Sequence, residues 1–212
     1  MEYHKINTLF ERDEKFFVKP DKLRAPVLGT ISVWDVTEKI DGTNIRITLT
    51  PDGKVTYGGR TDNAQLHKDL VVYFGHTFTP EKMKKIWINE PTKVVLYGEG
   101  YGAGIQKGGG NYRHDKSFRL FDVLVDDNWW LERPGIEDIA AKLEIKTVPY
   151  IGQMSIPEIV NFVSRGYLSI VAMEDSGQDH MAEGVVARPI ATLFDRKGDR
   201  VIIKLKNRDF AH

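Results

Sequence analysis

Apolar residues concentrate in seven runs, at residues 30–36, 44–50, 54–58, 93–99, 117–125, 183–188 and 200–206. Their content of Val, Ile, Leu, Phe and Tyr predicts strands. Pro51-Asp52-Gly53 lies between the second and third runs and predicts a hairpin turn. A helical period appears over 64–74, where Leu66, Leu70, Val71 and Phe74 fall on one side. Thr79-Pro80 opens a second helix running to about Ile88. Pro134 starts a third, with Ile136, Ile139, Ala140 and Leu143 inward. Ser155 and Glu158 form a capping box for a fourth, through Phe162 and Val163. Hairpin strands interleaved with surface helices predict an α+β fold in which antiparallel sheets dominate.

The 212 residues suffice for one sizeable core and a small appended element. No repeat, low-complexity tract or long Pro/Gly/Ser linker divides them, so residues 1–212 are expected to form one domain. Apolar residues at 41% and charged residues at 28% are ordinary for a soluble globular domain. The chain has no cysteine, which excludes disulfides, zinc–thiolate sites and thiol catalysis and fits a cytoplasmic location, in a host cell if the source is viral. The N-terminus is polar, and no run approaches the roughly 20 apolar residues of a membrane helix, so no membrane partner is expected. Lys and Arg number 30, as do Asp and Glu. Neutrality argues against extensive nonspecific coating of nucleic acid and leaves room for a local basic groove.

Candidate chemistry centres on Thr37-Glu38-Lys39-Ile40-Asp41-Gly42-Thr43-Asn44. A lysine follows a β-branched strand, and Asp41-Gly42 favours a tight turn directly after it. By itself this motif is equally a solvated turn lysine. Four further stretches follow in order. Leu96-Tyr97-Gly98-Glu99-Gly100 ends a strand with a carboxylate among glycines, and Arg119-Leu120-Phe121-Asp122 carries an aromatic followed by an acid. Ala182-Glu183-Gly184 begins a strand, and Lys204-Leu205-Lys206 places two lysines on one strand face. Singly, each has a bland explanation: a solvated strand end, a core aromatic, a turn cap, an edge-strand guard.

In this order the set resembles the motifs of the covalent nucleotidyl transferase superfamily, which comprises DNA ligases, RNA ligases and mRNA capping enzymes. Glu38-Lys39-Ile40-Asp41-Gly42-Thr43-Asn44 and Ile203-Lys204-Leu205-Lys206-Asn207 are most similar to the phage-type, nick-sealing RNA ligase 2 family. The resemblance implies a ligase adenylation fold of the ATP-grasp-like kind, antiparallel sheets flanked by helices. It implies ATP as AMP donor, Mg2+ or Mn2+, and RNA ends or nicks, or an RNA/DNA hybrid, as partner. Lys39 is the implied nucleophile, with Lys204 and Lys206 catalytic beside it. Phe121 is expected to stack on adenine, Glu38 to read the adenine edge and Glu99 to bind the ribose. Arg60 is expected at ribose or phosphate, Asn44 at the phosphates and Glu183 at the nucleotide and metal. Asp41 and Asp122 are weaker candidates, Asp122 because a strand neighbour of Phe121 should face away from it.

Many relatives carry an OB-fold after the lysine-pair strand, whereas here only Arg208-Asp209-Phe210-Ala211-His212 follows Asn207. A stand-alone catalytic domain is therefore expected, with adenylylation of Lys39 the firmest step. A minimal DNA ligase, an end-adenylylating enzyme and a catalytically inactive nucleotide- or RNA-binding module are the alternatives. Residues 103–113, rich in glycine with Lys107 and Arg113, read as a phosphate cradle or as a surface loop.

Overall fold

A computed structural model describes residues 2–15, 17–87 and 90–210. These residues cluster as two compact units, each with its own hydrophobic core. One unit holds Glu2, Tyr3 and Asp41–Val148; the other holds His4–Ile40 and the chain from Pro149 onward. The chain passes between them at Tyr3/His4, Ile40/Asp41 and Val148/Pro149, so the motif around Lys39 straddles a crossing. None of the three crossings carries linker composition.

The unit containing Lys39 is built on a five-stranded sheet. Its strands are β1 (Asn7–Thr8), β4 (Trp34–Lys39), β11 (Tyr150–Met154), β12 (Gly184–Pro189) and β13 (Ile203–Lys206). Their spatial order is β1-β13-β12-β4-β11, antiparallel throughout except β1 with β13. A separate ribbon pairs β2 (Phe10–Arg12) with β3 (Val18–Leu23). Trp34, Val36, Val185, Ala187, Ile203 and Leu205 alternate along the central strands and bury one sheet face with Ile159 and Val163 of the helix Ile156–Arg165. That helix begins with the expected capping box: Glu158 Oε2 accepts the Ser155 backbone N–H at 2.7 Å.

The other unit carries β5 (Thr43–Leu49), β6 (Val55–Gly59), β7 (Val94–Gly102), β8 (Lys116–Val125), β9 (Trp129–Trp130) and β10 (Lys146–Thr147). The order β10-β8-β7-β5-β6 is antiparallel except for β10 with β8, and β9 pairs with β8. Ile45, Ile47, Leu96, Phe118 and Leu120 face Leu70 and Phe74 of the helix Lys68–Thr77 and Ile136, Ile139, Ala140 and Leu143 of the helix Arg133–Leu143.

Three expectations shift. The helix expected from residue 64 starts at Lys68, where His67 Nδ1 accepts the Asp69 N–H at 3.2 Å. The strand expected from residue 30 starts at Trp34, because Pro26–Thr30 forms a 3₁₀ turn. The segment opened by Thr79 is helical over Pro80–Met83 and continues as a 3₁₀ turn through Ile86; its expected end at Ile88 lies outside the described residues.

Candidate active site

The strand periodicity that buries Val36, Val185, Ile203 and Leu205 also turns Lys39, Lys204 and Lys206 to the opposite face of the same sheet. Gly184 pairs with Lys39 on one side and Lys206 on the other. Glu183, immediately before it, bridges both: its Oε2 lies 2.6 Å from Lys39 Nζ and its Oε1 2.5 Å from Lys206 Nζ. Side-chain exposures of 20% for Lys39, 16% for Lys206 and 14% for Glu183 leave the cluster recessed but reachable. Lys204 adds a third cation, with Lys5 also close enough to repel it. A neutral chain thus gathers three lysines around one carboxylate.

The backbone around this cluster is fixed from several sides. Asn207 N–H donates to Glu183 O at 2.9 Å, and Tyr167 Oη donates to Gly184 O at 2.6 Å. Asp209 Oδ2 accepts the Lys206 N–H at 3.0 Å while its Oδ1 pairs with Arg12 at 2.8 Å. Gly184 has φ +151°, and a Cβ there would sit 2.1 Å from Leu205 O. Gly184→Ala is therefore expected to cost about 3 kcal/mol, or roughly 6–12 °C in melting temperature, which a thermal unfolding scan would measure.

Burial, then repulsion from Lys39 and Lys206, lowers the pKa of Lys204 against the opposing pull of Glu183. Keeping Lys204 protonated costs the folded state free energy at any pH below its lowered value. As pH rises from there toward the ordinary lysine value of 10.5, the unfolded chain holds the extra proton and stability recovers. Lys204→Met is thus expected to raise the melting temperature by about 2 °C at neutral pH, with the gain shrinking as pH approaches 10.5.

Glu38 does not share the face of Lys39. Its side chain is 1% exposed, and its carboxylate accepts Ser169 Oγ at 2.5 Å and the N–H groups of Ile170 and Val171 at 2.8 and 3.3 Å. This carboxylate caps the short helix Ile170–Asp175 and so anchors the strand bearing Lys39. That helix, and the strand Tyr150–Met154 beside Lys39, were not anticipated from the sequence. Ser169, whose Oγ also accepts the Ala172 N–H at 3.0 Å, was its available signal.

In the other unit, Asn44, Glu99 and Arg119 stand in register across β5, β7 and β8. Asn44 Oδ1 is buried with no hydrogen-bond partner among the described residues, so this row holds an acceptor with capacity to spare. Gly42 closes against Glu99: a Cβ there would lie 2.4 Å from Gly100 O and 2.8 Å from Glu99 Cγ. A bulge between Tyr97 and Gly98 breaks the alternation of β8 at Phe121. Phe121 consequently packs edge-on against Tyr3, ring centroids 5.2 Å apart, while Tyr3 Oη donates to buried Asp122 at 2.6 Å. The bulge brings both Phe121 and its strand neighbour Asp122 to Tyr3. Arg60 follows β6 and is exposed.

The glycine-rich segment serves the turn after Lys39. Gln106 Nε2 donates to Gly42 O at 3.0 Å, and Tyr112 Oη accepts the Asp41 N–H at 3.3 Å. Arg113 is engaged by Asp115 through bonds of 2.5 and 2.9 Å. The segment is an ordered brace, and the residues that do this, Gln106 and Tyr112, were not singled out from the sequence.

Residues 32–206 match the model of the RNA ligase family. This chain belongs to the RNA ligase family. Among solved structures, it is similar to Naegleria gruberi RNA ligase in three forms. A mutant with ATP and Mn has 17% identity and a TM-score of 0.66, covering 88% of this chain and 53% of that one. The form with PPi has 17% identity and a TM-score of 0.65, covering 97% and 57%. A mutant with AMP and Mn has 15% identity and a TM-score of 0.66, covering 97% and 58%. At these identities the likeness establishes the RNA ligase fold, an α+β arrangement of antiparallel sheets. The chain spans little more than half the length of these relatives. No described helix is long and apolar enough to cross a membrane.

Proposed function

We propose that this RNA ligase family member is an ATP-dependent ligase of the phage-type, nick-sealing kind that works through AMP held covalently on Lys39. The observation that carries the reading is the cluster of Lys39, Lys204 and Lys206 around Glu183 on one sheet face. The Naegleria gruberi structures with ATP and Mn, AMP and Mn, and PPi match the donor, the transferred group and the leaving group of such a cycle.

In the first step the Lys39 Nζ lone pair attacks the α-phosphorus of ATP, and pyrophosphate leaves as the N–P bond forms. The ammonium proton must go first, and Glu183 Oε2 is a carboxylate at 2.6 Å, placed to take it. Lys204 and Lys206 meet the charge developing on the phosphates. AMP then passes to a 5′-phosphate, and a 3′-hydroxyl attacks that phosphate and releases AMP. Phe121 is assigned to adenine, Glu99 to the ribose, Arg60 to ribose or phosphate, and Asn44 to the phosphate region. These four rest on the resemblance, and the unpartnered Asn44 Oδ1 supports the last. Glu38, which anchors the Lys39 strand, is assigned to the adenine edge on the same resemblance.

A divalent cation, Mg2+ or Mn2+, belongs to this reading. Among the described residues, no group of three or more His, Cys, Asp or Glu side chains converges on a metal position. One carboxylate, Glu183, suits a cation that keeps waters and takes its remaining ligands from phosphate oxygens. Bound there, it would supply charge neutralisation to the phosphates.

Sealing assays with nicked duplexes test the proposal. Nicks with RNA at the 3′-hydroxyl side are expected to be joined with ATP and a divalent cation, and not with GTP. Failure to join them, or equal joining of all-DNA nicks, would count against an RNA ligase.

A further inference from the structure

The two strands that carry Glu183 and the lysine pair continue, at their other end, into residues 190–202. AMP transfer gives this segment no role, yet it is ordered. Phe194 bridges to Arg200, and Val201 N–H donates to Leu193 O at 2.8 Å. Asp195 N–H donates to Asp199 O at 2.8 Å, and Gly198 N–H to Asp195 O at 3.1 Å. Asp195 Oδ1 accepts the N–H groups of Lys197 and Asp199 at 2.8 and 3.0 Å. The result is a hairpin with Arg196 and Lys197 at its tip. Both are exposed and have no ion-pair partner among the described residues; the acids beside them are Asp195, whose carboxylate accepts two backbone N–H groups, and exposed Asp199. Phe194 beside them is 57% exposed, and Ile190 is 52% exposed.

We propose that this hairpin is a second contact for the RNA strand, distant from the end being joined. The inference rests on the reading of the chain as an RNA ligase. Two displayed cations match the charge of a phosphate backbone, and an exposed aromatic ring beside them offers a face for a base or ribose. Gly184–Pro189 spans about 17 Å at the usual strand rise, and the hairpin follows Pro189, at the end of that strand opposite Glu183. Contacts at that distance add affinity without touching the reacting atoms, and they would hold the strand several nucleotides from its end. Among surfaces without a role in AMP transfer, this one combines fixed backbone, unpaired cations and an exposed aromatic on an element continuous with the lysine strands.

The test uses the whole chain, a fluorescently labelled nicked RNA duplex and anisotropy at several salt concentrations. Arg196→Ala with Lys197→Ala is expected to weaken binding about tenfold near 0.1 M salt and to flatten the dependence of log K on log salt by roughly 1.5 to 2. Phe194→Ala is expected to weaken binding about tenfold, with little change in that slope. Covalent labelling by ATP should be unchanged in all these variants. If the alanine pair melts early, Arg196→Gln with Lys197→Gln gives the same reading. Wild-type affinity and slope in the variants would overturn the hairpin contact while leaving the ligase reading intact. Wild-type RNA affinity combined with lost binding to anionic vesicles would assign the hairpin to a membrane surface and overturn it equally. A wild-type chain that neither labels with ATP nor binds RNA would remove the ligase reading itself.

Discussion

Lys39→Ala is expected to retain no AMP after denaturation and to seal RNA at least about 10,000-fold more slowly than the wild type, because no other group is placed to form the covalent bond. Lys206 faces the same carboxylate, but it pairs with the opposite oxygen and its strand is held by Asp209. It is positioned as a fixed cation and is not expected to substitute. Lys39→Arg separates charge from nucleophilicity. The guanidinium keeps the positive charge near Glu183 but has no lone pair available for attack at any working pH. It is expected to be as inactive as the alanine variant while melting close to wild type. Gel retention of label from α-labelled ATP, alongside thermal unfolding of both variants, checks this pair of outcomes.

Glu183→Ala carries the second large expectation. One carboxylate holds two lysines at 2.6 and 2.5 Å, and its removal takes the shared counter-charge from both. It also removes the nearest acceptor for the Lys39 proton. Adenylylation is expected to slow by about 100- to 1,000-fold, the usual yield of a placed base or electrostatic partner. Glu183→Gln keeps the shape and one acceptor but loses the charge. It should restore little if charge and basicity matter, and most of the rate if Glu183 only spaces the lysines. Single-turnover rates of label transfer at saturating ATP separate these outcomes from changes in nucleotide affinity.

Much of the lysine cluster was legible because strand alternation is a strong local rule. Lys204 and Lys206 had to share a face, and the apolar partners Ile203 and Leu205 had to bury the other. The Ser155–Glu158 cap and the inward residues of the helix Arg133–Leu143 were legible for the same reason: short-range chemistry fixes them. The partners of Glu38 were not legible in the sequence. Alternation places it opposite Lys39, and its buried carboxylate found donors in a six-residue helix too short to announce itself by periodicity. The shared contact of Phe121 and Asp122 with Tyr3 was not legible either, since one inserted residue at Phe121 reverses the alternation beyond it and no sequence signal marks that bulge. The brace of Gln106 and Tyr112 on Asp41-Gly42 depends on contacts between residues 64 and 71 positions apart. Spacing along the chain is silent about such contacts. The two compact units leave no mark in the sequence, because one crossing lies inside the nucleophile motif and none has linker composition.

The most direct test of the central claim is to incubate the wild-type chain with α-labelled ATP and Mg2+ or Mn2+, denature it, digest it and locate the label. One labelled peptide is expected, with AMP on the side chain of Lys39, released by acid as a phosphoramidate is. Label on any other residue, or a chain that stays unlabelled with every nucleotide and divalent cation tried, would contradict it.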